Sequence, residues 1–383
     1  MRKNSPLYGV KSQVLKVPAY TLHAYEAEVK LNQNENPYDF PGDLKEEAFR
    51  RFRNRSWSRY PDFVPDSLRL RVAGFAGWQK DGVLIGNGSN ELLQSALTVL
   101  IKSRTRVAIP APTFTVYRLI AKVLGARIVD ILLNPDLTYN VDDLIAKSRE
   151  SGAGVLIINS PNNPTGSVLK NEDLKRILEQ FSGHVLLDEA YYEFWGRTAI
   201  ELLKDFPRLI ITRTFSKAMG MASLRVGYLL AHPDLAAQIS KAKLPYNVNQ
   251  FSLTAAEVAL ENVERFRPAI EAVLKERDRL ATELSRVPGL KVYPSEANFF
   301  TVEVSVSPRL VFESLYGQGI LIRDVSSYPM LSKCLRISVG TPDENNRLLS
   351  ALHAAMSARA MEASRAPGDP HERTNSNDNP KHQ

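Results

Sequence analysis

The sequence predicts an α/β protein, with a large domain built on a mainly parallel, helix-covered sheet and a smaller α+β domain. Two observations predict it. From Val83 to Ala231 short apolar runs (VLIG, RVAIPAP, ARIVDILL, GVLIINSP, HVLLDEA, RLIITRT and VGYLLA) alternate with stretches of helical period. A strand with one wet face alternates apolar and polar residues, so continuous apolar runs mark strands buried on both faces. After about Pro245 the pattern changes to a long charged helical stretch interrupted by Pro268, then strand-like NFFTVEV, a helix near Arg309 to Gln318, and the strand candidates GILIRDV and CLRISVG. We therefore expect an N-terminal arm over 1–30, a small domain from 31–45 and 246–359, and a large domain over 46–245. The last stretch, 360–383, is rich in Asn, Pro, Asp, His and Lys, offers nothing to bury and reads as a disordered tail.

Bulk properties narrow the class of protein. The chain has 383 residues, 44% of them hydrophobic and 24% charged, which suits a two-domain globular protein. Its formal charge of +7 comes from basic residues interleaved with acidic ones, and the densest basic run, Arg50 to Arg59, reads as a solvated helix face with no nucleic-acid motif beside it. One cysteine, Cys334, excludes an intrachain disulfide and has the apolar neighbours of a buried thiol. No signal-peptide pattern or spanning apolar run is visible, and the expectation is a cytoplasmic protein. The six histidines are far apart and show no metal-ligand spacing, so no metal is expected.

In open α/β sheets ligands bind outside the carboxyl ends of the strands, so the residues following each run carry the functional reading. After VLIG, NGSNELLQ turns into a helix whose start offers N–H groups and a dipole to an anion, with Ser89 and Asn90 in place; a plain helix cap reads equally well. After RVAIPAP, Phe114 could stack on a flat ligand or pack in the core. SPNNPTG has turn chemistry throughout and would aim Asn163 into the same mouth. Asp188 and Tyr191 follow HVLL, and a carboxylate closing an apolar run needs a capping role or a cationic partner. Ser216 and Lys217 follow RLIITRTF, with Arg225 eight residues on. A desolvated lysine has a lowered pKa and attacks carbonyls. Together these residues ask for a phosphate, a flat ring, a ring cation and an aldehyde, which pyridoxal 5'-phosphate (PLP) combines in one molecule.

SPNNPTG, DEAY, TFSK and RVGY occur in that order, and with them nearly the whole chain before the tail resembles the class I/II PLP-dependent aminotransferases of the aspartate aminotransferase fold, fold type I. The resemblance implies that Lys217 forms a Schiff base with the cofactor and then moves the substrate proton. It implies that Asp188 keeps the pyridine nitrogen protonated, that Tyr191 and Asn163 bond the ring oxygen, and that Ser89, Asn90, Ser216 and Arg225 hold the phosphate. Tyr60, in WSRYPD, matches a tyrosine that reaches the phosphate across a homodimer.

Through VKLNQNENPYDFP, YPD, GNGSNELL, GILIRD and LRISVGT the finer resemblance is to the histidinol-phosphate aminotransferases of histidine biosynthesis. It implies transamination between L-histidinol phosphate and 2-oxoglutarate, giving imidazole acetol phosphate and L-glutamate. Arg336 and Arg323 would bind acidic substrate groups, Tyr20 would lie over the substrate and Asn36 would help close the site. Threonine-phosphate decarboxylase and aromatic amino-acid aminotransferases are the alternatives on the same fold. A hydrolase using Ser216 and Lys217 lacks an S-x-x-K or G-x-S-x-G frame. The departures, Asn90 where Asp is frequent and the run KAMGMASLR, remove no catalytic group.

Overall fold

A computed structural model describes residues 5–18 and 25–365. All seven apolar runs between Val83 and Ala231 are strands: β2 Val83–Gly86, β3 Arg106–Ala111, β4 Arg127–Leu132, β5 Val155–Asn159, β6 His184–Asp188, β7 Leu209–Thr214 and β8 Gly227–Ala231. They form one sheet in the order β2-β8-β7-β6-β5-β3-β4, parallel except for β8, which runs against both its neighbours. Chain direction across the sheet changes at β3, which pairs with both β4 and β5. The functional loops therefore open on one edge, at a switch point.

The continuous apolar runs have a direct cause. Ile85, Ala108, Leu156, Ile158, Val185, Leu187 and Ile211 face one core, while Leu84, Val107, Ile109, Val155, Ile157, Leu186 and Ile210 face another on the opposite side of the sheet. Alternate residues point to opposite faces, so a strand covered twice has no position to spare for a polar residue.

A second sheet, order β12-β13-β10-β9, is antiparallel and is built from β9 Leu290–Val292, β10 Phe299–Val304, β12 Arg323–Asp324 and β13 Cys334–Ser338. Beside it β1 Val29–Lys30 pairs in parallel with β11 Ile320–Leu321, which ties the chain's early residues to this half. Its core includes Leu31, Phe299, Val302, Ile337 and Leu348, and it extends onto Tyr191 and Ala218 of the larger half. The two halves thus meet beside the strand ends.

Two boundaries differ from the sequence reading. The helix Gln250–Glu261 was expected in the smaller domain, yet Leu253, Ala256 and Ala259 pack into the core of the larger one. Its apolar face fits the helix Gly42–Arg53, whose Leu44 and Ala48 join the same core, so 42–45 also goes with the larger half. The helix Pro342–Arg365 runs past residue 360, because SARAMEASR is made of good helix formers; the rest of the expected tail lies outside the described residues. Cys334 is buried, and burial pushes its thiol up to about 11. No helix among the described residues is long and apolar enough to cross a membrane.

Candidate active site

A cleft of about 470 Å³ lies where the two halves meet, outside the carboxyl ends of β2, β3, β5, β6 and β7. Its walls bring together Ser89, Asn90, Phe114, Asn163, Asp188, Tyr191, Ser216, Lys217, Arg225, Arg323 and Arg336. Residues separated by up to 247 positions converge because each strand end opens on the same edge.

Lys217 follows β7 and donates from Nζ to the backbone carbonyl of Gln33 at 2.9 Å. Burial, with Arg336 and Arg225 nearby, lowers its pKa to about 7 against the pull of Glu35 and Asp188. A large fraction of this amine is therefore unprotonated at neutral pH, the form that attacks carbonyl carbon. Tyr191 sits beside it, with Nζ 5.6 Å from the ring centroid, and the Tyr191 hydroxyl accepts from Asn34 Nδ2 at 3.0 Å.

Asp188 ends β6 and is 3% exposed. Burial raises its pKa to about 6, although the Tyr117 hydroxyl donates to it at 2.6 Å and the Ala190 N–H at 3.1 Å. It makes no ion pair among the described residues. A buried carboxylate with neutral donors and no cation fits a protonated ring nitrogen from a ligand.

On another wall Gly88 (φ 77°) precedes the helix Ser89–Leu100, and Arg225 holds a left-handed conformation (φ 54°) rare for a residue with a side chain. That conformation directs its Nη1 to Ser216 Oγ at 3.2 Å. A Cβ on Gly88 would collide with the Arg225 guanidinium, and one on Gly227 would collide with the Ser89 backbone nitrogen. The glycines thus let a helix start, a serine hydroxyl and an arginine close around one small space, which suits a phosphate. With Asp188 and Lys217 lining the same cleft, the residues fit PLP.

The opposite wall belongs to the smaller half. Arg323 and Arg336 are Cα partners across the antiparallel pair β12 and β13, a stronger juxtaposition than the sequence suggested. Like charges directly opposite repel unless acceptors or an anion lie between them. Arg336, 8% exposed, donates to Asn163 Oδ1 at 2.6 Å and to the carbonyl of Asn32.

Two of the expected residues, Asn36 and Tyr60, do not line the cleft. Asn36 donates from Nδ2 to the Ala218 carbonyl at 2.9 Å, so it braces the lysine turn from behind. Its neighbours Asn32, Gln33, Asn34 and Glu35 line the cleft instead, because Asn34 (φ 55°) turns the chain inward. Tyr60 is 81% exposed and stacks on Tyr246 with ring centroids 4.6 Å apart. Tyr20 lies outside the described residues. The sequence reading also missed Tyr117, although it stands one helical turn after Phe114 and shares its face.

Residues 26–352 match the family Aminotransferase class I and II, and the chain belongs to it. Curated relatives similar to it include the histidinol-phosphate aminotransferase of Prosthecochloris aestuarii, 39% identical over 89% of this chain and 96% of that protein. The histidinol-phosphate aminotransferase of Chlorobaculum tepidum is 38% identical over 85% of this chain and 94% of its own. The crystal structure of histidinol-phosphate aminotransferase from Sinorhizobium meliloti, in complex with pyridoxal 5'-phosphate, shares the fold with a TM-score of 0.83 and 24% identity, over 92% of this chain and 98% of that one.

Proposed function

We propose that the protein uses PLP to move the amino group of L-histidinol phosphate to 2-oxoglutarate, yielding imidazole acetol phosphate and L-glutamate. The observation that carries the reading is the placement of Arg323 and Arg336, directly opposite one another, in the cleft that holds Lys217. Two guanidiniums on one wall suit a phosphate monoester from one substrate and the carboxylates of the other, since both present oxygens in the geometry of the arginine fork. The histidinol-phosphate aminotransferases among its relatives support the choice.

When bound, PLP supplies an aldehyde and a ring that withdraws electrons from the substrate carbon. The chain's own residues do the rest. Lys217, with its lowered pKa, would take the proton from the substrate Cα and deliver it to the cofactor carbon beyond the imine nitrogen. Asp188 keeps a proton on the ring nitrogen, and Tyr191 and Asn163 bond the ring oxygen. Phe114 covers a ring face, and Ser89, Asn90, Ser216 and Arg225 grip the phosphate. Arg336 and Arg323 orient the substrate so that its Cα hydrogen faces Lys217.

A homodimer belongs to the same reading. Trp57, Tyr60, Phe63 and Leu244 are each more than 60% exposed and Tyr246 42%, large apolar side chains that a partner surface would cover. Tyr60 would cross it to the partner's phosphate site, and Tyr20 would cover the substrate. A biosynthetic enzyme of this kind works in the cytoplasm. The test is the isolated half-reaction: histidinol phosphate should discharge the visible absorbance of the PLP-loaded protein and 2-oxoglutarate should restore it. Carbon dioxide release from threonine phosphate in place of that cycle overturns the proposal.

A further inference from the structure

Tyr117 is fully buried, at 1% exposure, and its hydroxyl has one strong partner, the Oδ2 of Asp188 at 2.6 Å. It lies on the helix Thr115–Leu124, whose N-cap residue is Phe114, and the two rings meet edge to face with centroids 5.4 Å apart. One short segment after β3 therefore delivers both a face for a flat ring and a donor to the carboxylate. A tyrosine needed only for packing would be served by Phe, because a buried hydroxyl costs free energy unless bonded.

We propose that Tyr117 is a positioning residue for cofactor binding: its O–H holds the Asp188 carboxylate in its ionised form and fixes its orientation toward the ring nitrogen. The inference rests on the reading of the cleft as a PLP site. Burial disfavours the charged carboxylate, and the bonds from Tyr117, Ala190 and the Thr212 side chain act against that push, leaving Asp188 at about 6. Without the Tyr117 bond the carboxylate loses the largest of the interactions that lower its pKa and keeps those of the Ala190 N–H and the Thr212 side chain, so the acid would hold its proton to higher pH. The other titratable groups acting on Asp188 are Glu189 beside it in the chain, Tyr191, Tyr139 and Lys217. None of them donates to its oxygens.

The sign follows. With a neutral Asp188, binding a cationic ring requires the acid first to lose its proton, so affinity falls below the raised pKa and recovers above it. PLP affinity of the full chain is measured from pH 6 to 9 for the wild type and Tyr117→Phe, with the 15N shift of ring-labelled PLP reporting the nitrogen's proton. At pH 7 the variant is expected to bind about 10- to 100-fold more weakly, as for loss of a bond to a charged group, with the gap closing toward pH 9. Its ring nitrogen should shift toward the unprotonated value.

Equal affinity at every pH with an unchanged 15N shift overturns the proposal, and so does an equal loss at every pH, which marks a packing role. Should Tyr117→Phe fail to fold, difluorotyrosine at 117 keeps the ring and offers a stronger donor, so the affinity midpoint should move to lower pH; a fixed midpoint overturns the proposal. Failure of the wild type to bind PLP would instead remove the underlying reading of the cleft.

Discussion

Asp188 and Glu189 are neighbours in the chain, both almost fully buried, and they serve opposite ends. Glu189 faces a closed region behind the cleft. Its carboxylate accepts from Arg213 Nε at 2.9 Å, from Thr198 Oγ1 at 2.8 Å and from the Ala199 N–H at 2.7 Å. Arg213 is 2% exposed and also lies 4.0 Å over the Tyr192 ring. Glu189 and Arg213 thus pair within the protein. Asp188 opens on the cleft with neutral donors and, among the described residues, no ion pair. A buried charge completed by the protein is architecture, whereas one left incomplete at a cavity wall is chemistry addressed to a ligand.

The comparison breaks most sharply at Lys217. Lys217→Ala removes the group that moves the proton, so transamination should fall by more than about 1000-fold. The visible band of the PLP-loaded protein should vanish while the urea midpoint does not drop. A lower midpoint would place Lys217 with the architectural residues. Glu189→Ala should do the reverse. It strands Arg213 without its carboxylate in the interior, a loss of about 3–5 kcal/mol for a broken buried pair, read as a fall in the urea midpoint. An unchanged midpoint would refute the idea that this pair holds the region closed.

Arg336→Ala tests the substrate wall. Losing a charged hydrogen-bonding partner corresponds to about a 10- to 100-fold rise in apparent KM for histidinol phosphate, with the visible band intact. Loss of the band would make Arg336 a support for Lys217 and Asn163 rather than a substrate ligand. Arg323, which faces it across β12 and β13, should show the smaller rise because Arg336 also bonds Asn163 and Asn32.

The same distinction explains what the sequence made legible. Strand runs such as GVLIIN are visible because a twice-covered strand tolerates few polar residues, and polar residues after such runs stand out against them. Asp188, Ser216 and Lys217 stand out in that way, whereas Arg225 precedes its strand and is picked out by its place eight residues after Lys217. Tyr117 escaped because a tyrosine in TFTVYRLIA looks like one more apolar position on a helix; only its hydroxyl's partner, 71 residues away, separates it from core packing. Asn34 escaped for a related reason: NENP offers several turn residues, and backbone direction at φ 55° decides which faces inward. The helix Gln250–Glu261 was misplaced because periodicity says that a face is buried and not against which core.

The smallest effect concerns the charge shared across the cleft. Lys217 has its pKa near 7 because burial, then Arg336 and Arg225, disfavour the ammonium. Only the unprotonated amine attacks an aldehyde, so the rate at which cofactor-free protein combines with PLP should rise with pH and level off above a midpoint near 7. Arg336→Met removes one cation and leaves most of the burial. The ammonium is then less disfavoured, and the midpoint should rise by up to about one unit, a change of less than about tenfold in rate at pH 7. Rapid-mixing absorbance across pH 6 to 9 measures it. A midpoint that falls, or stays fixed while Arg225→Met moves it, would show that Lys217 senses the phosphate wall and not the substrate wall.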